Sequence, residues 1–166
     1  MLNNKADPNK CWAGESPLYI ASRHGRTEIV ELLLNNKADP NICFAEMSTL
    51  YIASCHGHVE IIKLLLNNKA DPNICYVGKT PLYLTFLEGY TEIVQILLNN
   101  KADPNICCEE KYSLYIASLH DSTEIVELLL NNKADPNICC GGRSPLFIAV
   151  LEGQTEIVEL LLNNKC

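Results

Sequence analysis

Side chains able to do chemistry are concentrated in one short segment, Cys55-His56-Gly57-His58, and in nine cysteines spread along the chain. A thiol beside two imidazoles can serve a zinc site or a cysteine nucleophile. This spacing matches no standard zinc pattern, and no third ligand or orienting carboxylate recurs nearby in register. We therefore predict no metal site, no catalytic residue and no cofactor. The chain also lacks a glycine-rich phosphate loop, so we expect no enzyme activity.

Five of the cysteines share one register, because they recur every 32 residues. They are Cys11, Cys43, Cys75, Cys107 and Cys139. Successive copies should lie about 10 Å apart, a helix-packing distance that is too long for a disulfide. We interpret them as small, half-buried residues of a protein in a reducing compartment, and we expect a cytoplasmic location.

The positions of these cysteines follow an internal repeat that runs through the whole chain. The string ADPN starts at residues 6, 38, 70, 102 and 134. A 32-residue unit is shorter than the roughly 40 residues that usually fold alone, so neighbouring units must share their apolar faces. The sequence predicts one elongated domain of stacked repeats. After a junction tail at 1–6, the repeats span 7–38, 39–70, 71–102, 103–134 and 135–166.

Each repeat contains signals for two helices. Ser16 is a suitable N-cap before Pro17, and together they predict a first helix that ends near His24. Residues 27–34 carry a wide apolar stripe with an acidic first turn, which predicts a second helix antiparallel to the first. The segment 42–47 is too short for a third helix and suits an extended hairpin finger.

The motifs D-P-N, S-P-L-Y-I-A and G-x-T-E-I-V-E-L-L-L resemble the ankyrin repeat, whose pattern reads T-P-L-H-x-A before its second helix. The resemblance covers essentially the whole chain. It implies an all-α solenoid of stacked helix-turn-helix units with short hairpin fingers, and a concave binding surface of fingers and first helices. The period is one residue shorter than the 33 of the family, and the missing residue falls in the finger. The family histidine is replaced by Tyr19, Tyr51, Tyr83, Tyr115 and Phe147.

Lysine occupies the position where the family has a glycine just after the second helix. The lysines are Lys37, Lys69, Lys101 and Lys133. A left-handed backbone there would destabilise the fold by about 1–2 kcal/mol at each lysine. The alternative is that Asn36 and its copies adopt that conformation instead, because asparagine tolerates it better.

Positions that vary between repeats are the candidates for partner binding, because the constant positions are explained by stacking. Trp12, Phe44 and Tyr76 share the finger register and predict an aromatic edge, unless they pack between neighbouring fingers. Two further registers lie at the end of the first helix, on the concave surface that the resemblance implies. The first comprises Arg23, Cys55, Leu87, Leu119 and Leu151. The second comprises His24, His56, Glu88, His120 and Glu152.

Charge and composition narrow the class of partner. The net charge of −7 opposes binding to nucleic acid, and every apolar run is too short to span a bilayer. We predict a non-catalytic scaffold that binds a protein or peptide. The alternative is a structural or self-assembling spacer within a larger multi-repeat protein. The last repeat keeps its apolar residues and both ends fall inside junctions, so we expect a piece of a longer array that self-associates through its ends.

Overall fold

The computed structural model describes residues 6–107 and 111–164. These residues form ten α-helices arranged as five pairs. In chain order the pairs are α1 (Pro17–Arg23) with α2 (Thr27–Asn35), α3 (Thr49–Cys55) with α4 (Val59–Asn67), α5 (Pro81–Leu87) with α6 (Thr91–Asn99), α7 (Ser113–Leu119) with α8 (Thr123–Asn131), and α9 (Pro145–Leu151) with α10 (Thr155–Asn163). None of these helices combines the length and apolar character needed to cross a membrane. The predicted all-α architecture of stacked helix pairs is confirmed.

Side-chain caps set the start of the first helix in four of the five repeats. The hydroxyl of Ser16 accepts a hydrogen bond from the backbone N–H of Tyr19 at 3.1 Å, which satisfies a donor that the helix itself leaves free. The same bond forms at Ser48, Thr80 and Ser144. In the fourth repeat Tyr112 occupies this position and provides no side-chain cap. Helices α1 and α2 end at Arg23 and Asn35, each within one residue of the predicted end.

The helices form two layers. The first helix of each repeat packs on the first helix of the next repeat, and the second helix of each repeat packs on the second helix of the next. Residues that are fully buried recur at the same place in the second helices of neighbouring repeats. They are Val30, Ile62, Val94 and Val126. Buried side chains from all five repeats join in one continuous cluster. Each fully buried aliphatic side chain contributes about 1.5–3 kcal/mol to stability. Because the cluster is shared between repeats, each repeat depends on its neighbours for part of this contribution.

The tyrosines that replace the family histidine are buried between successive repeats. Tyr19, Tyr51, Tyr83 and Tyr115 are all buried. The Tyr19 hydroxyl lies 3.9 Å from Sδ of Met47 in the next repeat and donates to that sulfur. Burial raises the pKa of this hydroxyl, and the Arg23 guanidinium opposes the rise. The four tyrosines therefore pack as aromatic wedges between successive repeats.

The lysines after the second helices adopt the left-handed conformation, with φ of 67–69° at all four positions. Asn36 has φ −99°, so the alternative in which asparagine takes this role is wrong. The reason is the hydrogen bonding of the helix end. The N–H of Lys37 bonds to the carbonyl of Leu34, and the N–H of Ala38 bonds to that of Leu33, both at 3.0 Å. This Schellman pattern requires the left-handed residue directly after the C-cap, which is the lysine.

An asparagine clamp connects each junction to the next, where a junction is the D-P-N segment and the helix end before it. Nδ2 of Asn41 donates to the carbonyl of Lys69 at 3.1 Å, and its Oδ1 accepts from the N–H of Asp71 at 2.8 Å. Equivalent pairs of bonds form at Asn9, Asn73 and Asn105. The Asp39 carboxylate accepts from the N–H of Asn41 at 2.9 Å and so orients the clamp. The recurrence of D-P-N is therefore explained by contacts between junctions.

A glycine between the two helices admits a side chain from the following repeat. Gly25 has φ +67°, and a Cβ built there would lie 2.9 Å from Cε1 of His58. Gly57 is crowded in the same way by the ring of Tyr90 at 3.2 Å. His58 therefore has a packing role in this register.

Gly25→Ala and Gly89→Ala should differ in stability although both glycines have left-handed backbones. Gly89 has φ +69°, and no atom lies within 4 Å of where its Cβ would be, so alanine adds only backbone strain of about 1–2 kcal/mol. At Gly25 the imidazole of His58 must also move, which adds about 1 kcal/mol or more. Urea unfolding of both variants measures the difference, and equal losses would contradict it.

Candidate functional site

The candidate surface consists of the turn and the first-helix end of each repeat, residues 12–15 and 23–24 and their equivalents, and we call it the groove surface. Trp12 and Glu15 exchange two backbone hydrogen bonds of 3.0 Å. The tip residues Ala13 and Gly14 both have positive φ, as a two-residue type I′ turn requires. Single bridges of the same kind join Phe44 to Met47, Tyr76 to Lys79 and Cys140 to Arg143. The predicted finger is thus reduced to one bridge with a two-residue tip, which accounts for the shorter period.

The finger register is only partly the exposed aromatic edge that we predicted. Trp12 is 80% exposed, whereas Phe44 and Tyr76 are half-buried. The Phe44 ring lies 5.4 Å from that of Tyr19, and the Tyr76 ring lies 5.3 Å from that of Tyr51. The aromatic side chain of each of these two turns therefore packs on the preceding repeat, as the packing alternative proposed. Cys140 is buried at this register, and Cys108 lies outside the described residues.

The first register at the helix ends changes character along the chain. Arg23 is engaged within its own repeat, since Nη1 lies 2.9 Å from Oε1 of Glu15 and the guanidinium lies 5.9 Å from the centre of the Tyr19 ring. Cys55 and Leu119 are half-buried. Leu87 and Leu151 are 48% and 60% exposed. Repeats three to five therefore present leucine where the first repeat presents an ion pair.

All members of the second register face solvent. His24, His56, Glu88, His120 and Glu152 are exposed. The Nδ1 atom of His56 lies 2.9 Å from the carbonyl of Ile52, and the ring stacks on that of His58 at 5.6 Å between centres. Each of them follows a residue of the first register in the chain, and Glu88 and Glu152 add carboxylates to the groove surface next to Leu87 and Leu151 in the sequence.

A row of cations lies beside the leucines, and it is absent from the candidates predicted above. In the first repeat, Glu15 is the residue that forms the β-bridge with Trp12 of the finger register. The equivalent residues of the later repeats are Met47, Lys79, Lys111 and Arg143, and we call this position the turn register. The ion pair between Glu15 and Arg23 shows that this register lies next to the first helix-end register. Lys79 and Glu88 both lie close enough to Cys55 to shift the pKa of its thiol. Writing the repeats in register would have revealed these cations, and their equivalence to Glu15, which pairs with Arg23, predicts that they lie near the leucines.

The segment from Cys55 to His58 is not arranged as a reactive site. Burial raises the pKa of the Cys55 thiol and Glu88 adds to the effect, while Tyr51 and Lys79 oppose it. A thiol with a raised pKa is a poor nucleophile at neutral pH. In the described part of the chain, no three histidine, cysteine or carboxylate side chains converge as a metal site would require.

The repeating cysteines are exposed, so the expectation that they are half-buried is wrong. Cys11, Cys43, Cys75, Cys107 and Cys139 all face solvent. The Sγ atom of Cys43 lies 3.5 Å from the carbonyl oxygen of Asn41, two residues earlier. The reason for the exposure is the position of the register between the clamp and the turn, where the chain runs along the edge of the stack and no neighbouring helix covers it.

Comparison with known families agrees with the arrangement of helix pairs, turns and junctions. A model of three ankyrin repeats matches residues 42–107 and 89–166, and a model of a single ankyrin repeat matches residues 13–43. A search of curated proteins found no significant match to the chain.

Proposed function

Because the chain belongs to the ankyrin-repeat family, whose members are generally protein-interaction modules without catalytic activity, we propose that it is a non-catalytic scaffold that binds a protein or peptide through its groove surface. The observation that carries this proposal is the combination of solvent-accessible leucines and cations on repeats three to five. Leu87, Leu119 and Leu151 form the apolar row. Lys79, Lys111 and Arg143 occupy the turn register, which lies next to the leucine register in the first repeat.

The spacing of these rows favours an extended partner segment. Packed helices repeat about every 10 Å, so the leucines of successive repeats should be separated by about that distance. A polyproline II segment rises about 3.1 Å per residue and returns to the same face every three residues, or about 9 Å. A peptide with apolar side chains three residues apart can therefore contact successive leucines. Carboxylates between them would be attracted by the cations of the turn register, and Glu88 and Glu152 in the second register would repel them from the opposite side of the leucines.

Leu87→Ser combined with Leu151→Ser should abolish selection of such peptides without loss of fold. We suggest panning a random-peptide phage library on the wild-type protein and measuring the affinity of enriched peptides for both proteins. The expected peptides carry apolar residues three apart together with aspartate or glutamate. Their affinity should fall at least tenfold in the double variant, as is typical when central apolar contacts of an interface are removed.

Leu32→Ser is the matched control, because Leu32 is an exposed leucine outside the groove surface. It should leave peptide affinity unchanged, and circular dichroism should report the same helix content for all three proteins. Enriched peptides that bind the double variant as well as the wild type would place the binding surface elsewhere.

A second candidate function is that of a self-assembling spacer, which is favoured by the apolar side chains exposed at the first and last repeats. It is compatible with peptide binding because those side chains lie at the ends of the stack. For either function we propose a reducing, cytoplasmic setting, which the row of exposed thiols supports.

A further inference from the structure

The first repeat exposes apolar side chains whose equivalents are more deeply buried in the later repeats, as far as the structure describes them. Ile29 is 50% exposed, whereas its equivalents Ile61, Ile93, Ile125 and Ile157 are at most 3% exposed. Leu32 and Trp12 are exposed as well. We call Trp12, Ile29 and Leu32 the front face. An open cleft of about 500 Å³ continues this face between Pro17, Ile20 and Arg26.

The last repeat shows the opposite pattern, because side chains that a following repeat would cover are exposed. Phe147 is 51% exposed, whereas the equivalent tyrosines are at most 9% exposed. Leu162 is 64% exposed, whereas its four equivalents are at most 8% exposed. Val150 is also exposed. We call Phe147, Val150 and Leu162 the back face.

The two faces are complementary, since each carries one half of the contacts that form between neighbouring repeats inside the chain. Within the chain, the turn aromatic of a repeat packs on the helix aromatic of the repeat before it, as Phe44 does on Tyr19. Trp12 is a turn aromatic without such a helix aromatic beneath it, and Phe147 is a helix aromatic with half of its surface uncovered.

A second complementary contact between the two faces lies at the turn between the two helices of a repeat. In the interior, His58 lies over Gly25 and Tyr90 lies over Gly57. Gly153 is the equivalent glycine of the last repeat, and no atom lies within 4 Å of where its Cβ would be. Arg26 is the exposed equivalent of His58 at the front face. Arg26 of one molecule can therefore occupy the space above Gly153 of another.

We propose that the back face of one molecule packs on the front face of a second copy of this chain and continues the stack across the two molecules. Trp12 then lies on Phe147, and Arg26 lies over Gly153. The contact is heterologous, so a dimer still presents one free front face and one free back face, and assembly proceeds to longer oligomers as concentration rises. The proposal rests on the self-assembling function proposed above, and it depends on the end faces and not on the groove surface.

The test uses two variants of the 166-residue chain, each with one face blocked. The front variant is W12S/I29E and the back variant is V150E/L162E, and all four changes are at side chains that are at least half exposed. Sedimentation velocity over a hundredfold concentration range should show growing oligomers for the wild type. Each variant alone should remain a monomer, with its association constant reduced at least tenfold.

Mixing the two variants is the decisive measurement. The mixture contains one intact front face and one intact back face, so it should form a dimer that grows no further. L87E is the matched control, since it places a charge on an exposed leucine outside both faces, and it should assemble like the wild type. A wild type that stays monomeric over the whole range, or a blocked variant that still assembles, would overturn the proposal. So would a mixture without dimer while circular dichroism shows both variants folded.

Discussion

Replacing the four left-handed lysines with glycine should raise the free energy of unfolding by about 2–4 kcal/mol. The changes are Lys37→Gly, Lys69→Gly, Lys101→Gly and Lys133→Gly, at positions where φ is 67–69°. A side chain in this conformation is destabilising by about 1–2 kcal/mol, and the greater freedom of glycine in the unfolded chain offsets about half of the gain at each position. Lysines of successive repeats should lie about 10 Å apart, a distance at which the effects of substitutions usually add.

Urea unfolding measures the gain, and the midpoint of thermal unfolding should rise by roughly 4–16 °C for a chain of this size. Lys63→Gly is the matched control, because Lys63 lies within helix α4. Glycine there should lower stability by about 1 kcal/mol, and loss of the 2.8 Å ion pair with Glu60 adds little at an exposed site. The same chemical change should therefore have opposite signs at the two kinds of position. Destabilisation by the quadruple variant would show that the lysine side chains have a stabilising role that outweighs the strain.

Removing three of the asparagine clamps should lower the free energy of unfolding by about 3–6 kcal/mol. The variant is N41A/N73A/N105A, and each change deletes two hydrogen bonds of 2.8–3.3 Å between successive junctions. A hydrogen bond contributes about 0.5–1.5 kcal/mol net, and these lie at the exposed edge of the stack, where water can replace part of each bond. The total is large because the same loss occurs at three places.

The clamp variant should also unfold less cooperatively, because the clamps join neighbouring repeats. In a repeat protein the coupling between neighbours keeps the array unfolding as one unit. Weaker coupling should let end repeats unfold first, which lowers the slope of stability against urea as well as the midpoint. The control is N35A/N67A/N131A, which changes three exposed asparagines in the last turn of their helices. That control should be neutral or slightly stabilising, since alanine favours the helix. Equal losses in the two triple variants would show that the clamps contribute nothing specific.

The groove surface could be predicted only in part, and its residues show why. The two helix-end registers were found from the repeat alignment, because a 32-residue period brings equivalent positions together in any stacked fold. The engagement of Arg23 with Glu15 and the packing of Phe44 on Tyr19 could not be found in this way. Both depend on how far one turn reaches toward a neighbouring helix, which is a distance that the sequence does not encode locally.

By itself the sequence determined the stack of helix pairs and the limits of the helices. Those features follow from local signals, namely the cap at Ser16, the proline after it and the apolar periodicity of each second helix, and these signals act within a few residues. The tertiary structure alone decided that Lys37 rather than Asn36 is left-handed, that Asn41 clamps the next junction and that the cysteine register faces solvent. Each of these outcomes depends on contacts with a neighbouring repeat or on hydrogen bonds that a whole helix end must satisfy. For the same reason Phe147 is exposed, although the equivalent tyrosines are covered by the repeat beside them.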